Sequence, residues 1–343
     1  MKAWQVHRLG NPLDVMSLDD VPEPEPGPGQ IRVRVSSLAL NFNDVDLTTV
    51  SYKTIPTPMP FTPGMEVLGR VDAAGPGLES WLGKRVVAIP PMAFGGYAES
   101  VCCPAEMAFE MPEEFAEPEA AAIYFPFHLS WLALHTRAKL QAGETLLVHA
   151  AAGGVGTAVL QMGKHLGARV IATAGSSEKL ELCRSLGADV AIDYRDGFAE
   201  AVLEATDHLG VDVAFDSVGG AVTEQTFGCM AFGGRHLIAG FSSDIAFEDA
   251  GITPRQFVYG NISLVGVCLA YVTDPVSFRQ VSGCNFVAHS DGEKVHEMIL
   301  DLIRTEKLRP VVGHVVPFGE IPAAMEAMRT RQTTGRVIAT LTR

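Results

Sequence analysis

Residues 145–156 read TLLVHAAAGGVG, and this stretch decides the fold of the 343-residue chain. Its apolar first half predicts a short buried strand, and its glycines open a helical pattern that runs to Leu166. In such a turn Gly153 would let the backbone approach a bound pyrophosphate, and Gly156 would let the helix pack on its strand. The stretch therefore predicts a strand, a phosphate-binding turn and a helix, although a plain tight turn has the same glycines.

Strands and helices continue to alternate after this turn. The predicted elements are a strand at Arg169–Thr173, a helix at Glu178–Leu186, and strands at Val211–Asp216, Arg235–Ala239 and Ile262–Val267. Alternation at this spacing is typical of a doubly wound parallel sheet, as in a Rossmann domain.

The end of the second strand bears on the choice of cofactor. NAD-binding proteins place an acidic side chain about twenty residues after the glycines, where it holds the ribose hydroxyls. Here Ala174, Gly175 and Ser176 occupy that place, and the cation Lys179 follows. Small residues and a cation favour a ribose phosphate, so we predict NADPH. Lys179 is alternatively a solvated helix lysine, and Tyr194 either covers the adenine or is an ordinary exposed loop residue.

The remaining parts of the chain predict a second unit. Of the 21 prolines, 16 precede residue 127, and short strands such as Gln30–Val35 lie between them. Several short strands with glycine and proline turns favour a small β-barrel. We place this barrel at residues 1–122 and 270–343, and the cofactor-binding domain at 123–269.

Composition excludes several classes of function. The net charge is −14, so binding to nucleic acid or to an anionic membrane surface is not expected. No apolar run reaches the roughly 20 residues of a membrane-spanning helix. The six cysteines form no C-x-x-C pair and the first residues have no apolar run of a signal peptide, so we expect a cytoplasmic protein.

Motifs along nearly the whole chain together resemble one known family. They are Asn41-Phe42-Asn43-Asp44, residues 63–69 (PGMEVLG), Gly95–Glu99, Val148–Gly156, Gly187–Asp189, Phe215–Gly220 and residues 333–337 (TTGRV). The chain resembles the medium-chain dehydrogenase/reductase superfamily, and within it the zinc-free, zeta-crystallin-like quinone oxidoreductases. The resemblance implies a GroES-like β-barrel interrupted by a Rossmann domain, with the nicotinamide in the cleft between them.

The resemblance also implies where the cofactor is bound. The implied contacts are Ala151, Ala152, Gly153, Gly154, Val155, Gly175, Ser176, Lys179, Tyr194, Ser217, Val218, Gly240, Phe241, Gly266 and Val267. Many relatives form dimers through the edge strand of the Rossmann domain, which here is Ile262–Val267. A homodimer is therefore expected.

The residues that hold the catalytic zinc in related alcohol dehydrogenases are replaced in this chain. The matching positions are Asn41, Met65 and, with a less certain alignment, Phe125, which are poor zinc ligands. Without a Lewis acid, oxidation of a plain alcohol is difficult, whereas hydride donation to an enone or a quinone is feasible. The leading hypothesis is a zinc-independent, NADPH-dependent reductase. The alternatives are an alcohol dehydrogenase with an atypical metal site and a non-enzymatic, crystallin-like NADPH-binding protein.

Such a reduction builds negative charge on the acceptor oxygen, which needs hydrogen-bond donors. Asn41 and Tyr52 are the predicted catalytic donors, because both belong to a loop that lines the cleft in the family. Asn41 is alternatively a turn residue that bonds its own backbone, and Tyr52 a loop cap. Asp44 is expected to hold the loop. Asp46 replaces a tyrosine that is frequent in the branch, which weakens the case for quinone as the natural substrate.

Overall fold

The computed structural model describes residues 1–50, 58–243, 245 and 254–341. It divides into unit 1, with residues Met1–Phe125, Ala270–Glu297 and Pro310–Arg343, and unit 2, with Pro126–Leu269 and Met298–Arg309. The predicted return to the first unit at residue 270 is thus interrupted by Met298–Arg309. The side chain of Gln161 holds this segment on unit 2, because it donates to the carbonyl of Arg309 at 3.0 Å and accepts from its amide at 2.9 Å.

The secondary structure is numbered in chain order. The strands are β1 (Lys2–Val6), β2 (Met16–Asp20), β3 (Gln30–Leu40), β4 (Glu66–Ala74), β5 (Arg85–Ala88), β6 (Ser100–Pro104), β7 (Ala108–Glu110), β8 (Thr145–Val148), β9 (Arg169–Ala174), β10 (Val190–Asp193), β11 (Val211–Asp216), β12 (Met230–Ile238), β13 (Ser263–Gly266), β14 (Tyr271–Val272), β15 (Val287–Ala288), β16 (Val312–Pro317) and β17 (Arg336–Thr340). The helices are α1 (Pro12–Val15), α2 (Phe42–Thr49), α3 (Tyr124–Trp131), α4 (Gly154–His165), α5 (Ser177–Ser185), α6 (Ala199–Ala205), α7 (Ala221–Phe227), α8 (Pro254–Gly260), α9 (Pro275–Ser282), α10 (His289–Arg304) and α11 (Ile321–Arg329).

Unit 1 is organised around the long strand β3. One edge of β3 pairs with β4, and the other edge is shared by β6 along its first half and β17 along its second half. Together with β5, β7 and β16 these strands form a seven-stranded sheet. The alternation predicted for Gln30–Val35 is observed, since Ile31, Val33 and Val35 are buried in the core of this unit.

Unit 2 contains the predicted parallel sheet. Its six strands run in the order β10-β9-β8-β11-β12-β13, and every neighbouring pair is parallel. The order reverses between β8 and β11, and ligands of such sheets bind at this switch point, beyond the carboxyl ends of the strands. The fold is therefore the predicted doubly wound α/β type.

Two differences from the predicted elements have local causes. The strand predicted over Thr145–Ala150 ends at Val148 because Ala150 has a φ of +48°, which strand geometry does not allow. The short strand β10 was not predicted from the sequence. Among its residues only Ile192 is buried, so the pattern carries little apolar signal.

Candidate functional site

The glycine-rich turn of unit 2 connects β8 to α4. Gly153 lies at the N-cap of α4, its amide donates to the carbonyl of Ala150 at 2.9 Å, and no side chain caps the helix. A Cβ added at Gly156 would lie 2.2 Å from the oxygen of Ala150, so the close approach of helix and turn requires glycine there. At Gly153 the nearest atom to an added Cβ is that same oxygen, at 3.2 Å. The turn thus presents uncapped helix amides to an anion and leaves space over Gly153.

The end of β9 brings four predicted cofactor residues together. Ser176 caps α5, and its hydroxyl accepts the amide hydrogen of Lys179 at 3.3 Å, which places Lys179 in the first helical turn. The ring of Tyr194 lies on Gly175, where an added Cβ would be 2.8 Å from the tyrosine hydroxyl. The neighbouring Arg195 is held by an ion pair with Asp193 at 2.5 Å. The end of β9 therefore has Tyr194 against Gly175 and Lys179 in the first turn of α5. Glu178 lies in the same turn, and Asp193, opposite Ala174 on β10, is paired with Arg195.

The loops after β11 and β12 bring another predicted pair of segments together. The amides of Ser242 and Ser243 donate to the carbonyls of Ser217 and Val218, at 3.2 and 2.8 Å. An added Cβ at Gly240 would lie 3.1 Å from the oxygen of Ser217, so Gly240 and Phe241 lie directly against this loop.

The last predicted contacts, Gly266 and Val267, lie at the end of the edge strand β13. The amide of Val267 donates to the carbonyl of Ile238 at 2.9 Å, which continues the pairing with β12. Among the described residues, no atom that a side chain could clash with lies within 4 Å of where a Cβ at Gly266 would be.

A buried polar network, which sequence reasoning missed, lies beneath these loops. The carboxylate of Asp216 accepts the amides of Val218 and Gly219 at 2.8 and 2.9 Å. It also accepts the hydroxyl of Thr223 at 2.5 Å and Nε2 of His236 at 3.2 Å. Burial raises the pKa of Asp216, but the bonds from His236 and Thr223 and the nearby histidines lower it more, so the group is a carboxylate. The sequence signals are the position of Asp216 at a strand end and its place in the family motif Phe215–Gly220.

His149 extends the polar arrangement toward the glycine-rich turn. Its Nε2 lies 2.9 Å from the hydroxyl of Thr226, and its Nδ1 lies 3.0 Å from the hydroxyl of Thr173. Because the Thr226 hydroxyl already donates to the carbonyl of Val222, Nε2 of His149 must carry the hydrogen and Nδ1 must accept. Burial lowers the pKa of His149 to about 4, so the ring is neutral at pH 7.

The buried state of His149 predicts a specific loss of stability in acid. Its pKa of about 4 in the folded protein lies below the usual 6.5, so between these values the unfolded chain binds more protons. The contribution of His149 to the free energy of unfolding is complete above pH 6.5 and is lost as the pH falls to 4. The loss is about 3 kcal/mol at most. We therefore expect the stability of the wild type relative to His149→Gln to fall over this range in urea unfolding. A difference that does not change with pH would contradict this assignment.

Unit 1 contains a second buried cluster, built around Arg336 of β17. Its guanidinium donates to Oδ1 of Asn41 at 2.8 Å and forms an ion pair with Glu66, while its buried Nε has no partner among the described residues. The other oxygen of Glu66 accepts the amide of Phe125 at 2.9 Å. Burial raises the pKa of Glu66, and the charge of Arg336 opposes this. Glu66 and Arg336 are 270 residues apart in the chain, so no local pattern indicates this pair.

Asn41 has the contacts of the turn residue that the sequence also allowed. It caps α2, and its Nδ2 donates to the carbonyl of Ala39 at 3.1 Å. It also forms a hydrogen bond with Glu66 that lowers the pKa of that carboxyl group. The amide is therefore engaged within unit 1, and donation to a substrate oxygen requires release of one of these bonds. The other predicted donor, Tyr52, lies outside the described residues.

Asp44 holds the loop, as predicted. Its carboxylate accepts the amides of Asn41 and Gly64, at 2.9 and 3.2 Å, and the hydroxyl of Tyr97 at 2.7 Å. Burial raises the pKa of Asp44 to about 6 despite these bonds. Met65, at another position of a family zinc ligand, is buried, and its sulfur lies 4.0 Å from the amide nitrogen of Asn43.

Two searches of the described residues gave negative results. No group of three histidine, cysteine, aspartate or glutamate side chains there is arranged to hold a metal ion. In the same part of the chain, none of the helices combines the length and the apolar character needed to cross a bilayer.

Two family models match the chain. The model of the alcohol dehydrogenase GroES-like domain matches residues 27–113, and the model of the zinc-binding dehydrogenase matches residues 154–284.

Similar proteins include reductases of two kinds. The 2-haloacrylate reductase of a Burkholderia species is 30% identical over 307 residues, which is 85% of this chain and 86% of the relative. The quinone oxidoreductase of Thermus thermophilus, whose crystal structures include a complex with NADPH, is 34% identical, with 99% of this chain and 100% of that chain covered and a TM-score of 0.76. A mycocerosic acid synthase-like polyketide synthase of Mycolicibacterium smegmatis is 33% identical over 279 residues, which is 80% of this chain. The matched region covers 12% of the length of the synthase.

Proposed function

Since the chain belongs to the medium-chain dehydrogenase/reductase superfamily, in its quinone oxidoreductase branch, we propose that it is an NADPH-dependent reductase that transfers hydride to a quinone or to an electron-poor alkene. The oxidoreductase class follows from the family. The acceptor and the independence from zinc are proposals that the site residues support.

The observation that carries the proposal is the end of β9. A dinucleotide without a 2′-phosphate is usually held there by a carboxylate, which would repel the phosphate of NADPH. Here Gly175 and Ser176 occupy the place, with Lys179 in the first turn of α5 and Tyr194 beside Gly175. This arrangement fits a phosphate, since a hydroxyl and an ammonium group can donate to it and small residues take the place of the ribose-binding carboxylate.

The residues of the chain bind and orient the cofactor, and bound NADPH supplies the hydride. The uncapped amides at the start of α4 attract the pyrophosphate, and Gly153 leaves room for it. The loops at Ser217–Val218 and Gly240–Phe241 are the proposed contacts on the nicotinamide side. Asn41 and Tyr52 stay the predicted donors to the negative charge that develops on the acceptor oxygen.

Lys179 provides the test of cofactor choice. We expect Lys179→Ala to weaken NADPH binding by about tenfold to thirtyfold, because a charge-assisted bond to phosphate contributes about 1.5–3 kcal/mol before partial exposure is considered. NADH binding should not change, because NADH has no 2′-phosphate. Fluorescence titration of both nucleotides measures the two affinities, with Lys164→Ala as a control in the same unit. Equal losses for NADPH and NADH would contradict the assignment.

The proposed independence from zinc rests on the surroundings of Asn41. The guanidinium of Arg336 donates to Oδ1 of Asn41 at 2.8 Å. A divalent cation at that oxygen would meet a buried positive charge in a medium of low dielectric constant and be repelled. Asn41 and Met65 also lack the thiolate and imidazole groups that bind zinc best.

The acceptor is proposed to be a small molecule with an electron-poor double bond or a quinone ring. The two similar reductases act, by their names, on acceptors of these two kinds. Purified protein should oxidise NADPH with at least one member of a panel of benzoquinones, naphthoquinones, linear enones and 2-haloacrylates. Tight NADPH binding with no turnover for the whole panel would contradict the proposed reaction and favour the non-enzymatic alternative.

We also propose a homodimer through β13. This strand ends the sheet of unit 2, and the exposed apolar residues Leu264, Phe232, Val258 and Tyr259 lie on it or on its neighbours β12 and α8. An edge strand with apolar surroundings is suited to pairing with a second copy.

The dimer predicts an effect of charge at the edge strand. Leu264→Lys should convert the protein from dimer to monomer in light scattering, because two copies would bring like charges together across the strands. The control is Val281→Lys, which changes an exposed residue of unit 1 and should leave the mass unchanged. A monomeric wild type, or a variant that keeps the wild-type mass, would contradict the interface.

A further inference from the structure

We infer that Asp216 and Thr223 are positioning residues for NADPH, because they hold in place the backbone loop that would contact it. The inference rests on the proposed function. Neither side chain needs to touch the cofactor, since both act through the backbone of Ser217–Gly219.

The Asp216 carboxylate holds the loop by accepting hydrogen bonds from the loop's backbone amides. Its Oδ1 accepts the amides of both Val218 and Gly219, so the carboxylate fixes the direction in which the chain leaves β11. Gly219 and Gly220 then adopt φ values of +78° and +58°, which turn the chain sharply into α7. Ser217 and Val218 lie against Gly240 and Phe241, and their carbonyls accept the amides of Ser242 and Ser243.

Thr223 holds the carboxylate in turn. Its hydroxyl donates to Oδ2 of Asp216 at 2.5 Å, and Nε2 of His236 contacts the same oxygen at 3.2 Å. Asp216 and His236 are fully buried and Thr223 is 8% exposed, so water does not substitute for a lost bond without rearrangement. Removing the hydroxyl leaves Oδ2 of a buried carboxylate short of one donor.

Helix α7 connects the contact between Asp216 and Thr223 with the other predicted cofactor loops. Thr223 and Thr226 lie three residues apart on α7, so they project from the same side of the helix. Thr226 contacts His149, the second residue before the predicted cofactor contact Ala151, and His149 also contacts Thr173 of β9. The ends of β8, β9 and β11 are therefore joined to α7 by two neighbouring sets of buried hydrogen bonds, one through Thr223 and one through Thr226. A buried network of this kind preorganises the loops above it, which is how supporting residues affect a binding site without touching the ligand.

The alternative is that these bonds only stabilise the fold, and a matched control separates the two roles. Thr206 is also a buried threonine of unit 2, and within the described part of the chain its hydroxyl bonds only to backbone, at Val202, Leu203 and Gly210. Thr206→Val should therefore lower thermal stability to a similar extent as Thr223→Val without affecting the predicted cofactor loops. Thr223→Ser keeps the donor and loses a methyl group.

The experiment measures NADPH affinity by fluorescence titration and the melting temperature of each variant in parallel. We expect Thr223→Val to raise the Kd for NADPH about tenfold, the effect of one lost hydrogen bond to a charged group, whereas Thr223→Ser and Thr206→Val stay within about twofold of the wild type. Thr226→Val should raise the Kd several-fold and provides a second test if Thr223→Val does not fold.

The outcomes distinguish this inference from the proposed function. A wild-type protein that does not bind NADPH would overturn the proposed function and the inference with it. A wild type that binds NADPH, together with Thr223→Val and Thr226→Val variants that bind it as Thr206→Val does, would overturn the inference alone.

Discussion

Replacing Arg336 with methionine is expected to lower the free energy of unfolding by about 3–5 kcal/mol, which is the usual effect of removing one partner of a buried ion pair. Arg336 and Glu66 are 3% and 1% exposed, so the variant would leave a carboxylate in the core without its cation. The same change removes the donor to Asn41. Urea unfolding monitored by circular dichroism measures the loss.

Two further variants separate the buried charge from other effects. The double variant Glu66→Gln/Arg336→Met removes both charges and should recover part of the lost stability, because no ion then remains unpaired. Arg329→Met breaks the exposed pair with Glu326 and should change the stability by no more than about 0.5 kcal/mol. A loss below about 1 kcal/mol for Arg336→Met would show that the buried pair is not needed.

The second large effect is expected at the glycine-rich turn. In Gly156→Ala the new Cβ would lie 2.2 Å from the oxygen of Ala150 and 2.7 Å from the Cα of Ala151, so backbone must move. We expect the free energy of unfolding to fall by about 1–3 kcal/mol, since overpacking has this effect in well-packed regions. NADPH affinity should fall by tenfold or more. The displaced turn needs to lose only about 1.4 kcal/mol of binding free energy toward the cofactor for a tenfold effect.

Gly153→Ala tests the same turn with a smaller steric conflict. Among the described residues the added Cβ would meet one atom, the oxygen of Ala150 at 3.2 Å, which must shift by a few tenths of an ångström, so stability should change by less than about 1 kcal/mol. NADPH affinity should nevertheless fall about tenfold, because the methyl group would occupy the space into which the pyrophosphate must come. If both glycine variants bind NADPH as tightly as the wild type, the turn does not hold the cofactor.

The parts of the fold that were predictable are those in which local sequence determines geometry. The glycines after β8 and the apolar helix behind them predicted a strand, a turn and a helix, and the structure has them at Thr145–Val148 and Gly154–His165. The alternation in β3 is local in the same sense. Each of these features depends on neighbours within a few residues.

The parts that were not predictable depend on residues far apart in the chain. Arg336 belongs to the motif at residues 333–337, and its role becomes visible only when β17 pairs with β3 and brings it to Glu66. Asp216 was read as the end of a strand, and its bond to His236 joins two neighbouring strands of the sheet. Asn41 was ambiguous because a turn residue and a substrate donor have the same sequence signature.

The most direct test of the account follows the hydride in protein from which metal has been removed. The protein is treated with a chelator, zinc is measured by elemental analysis, and NADPH deuterated at C4 is supplied with the best quinone or enone acceptor. The account predicts an undiminished rate and, for an enone, deuterium at the β-carbon of the product. Loss of the reaction on chelation with recovery on adding zinc, or an enone product without deuterium at its β-carbon, would contradict it.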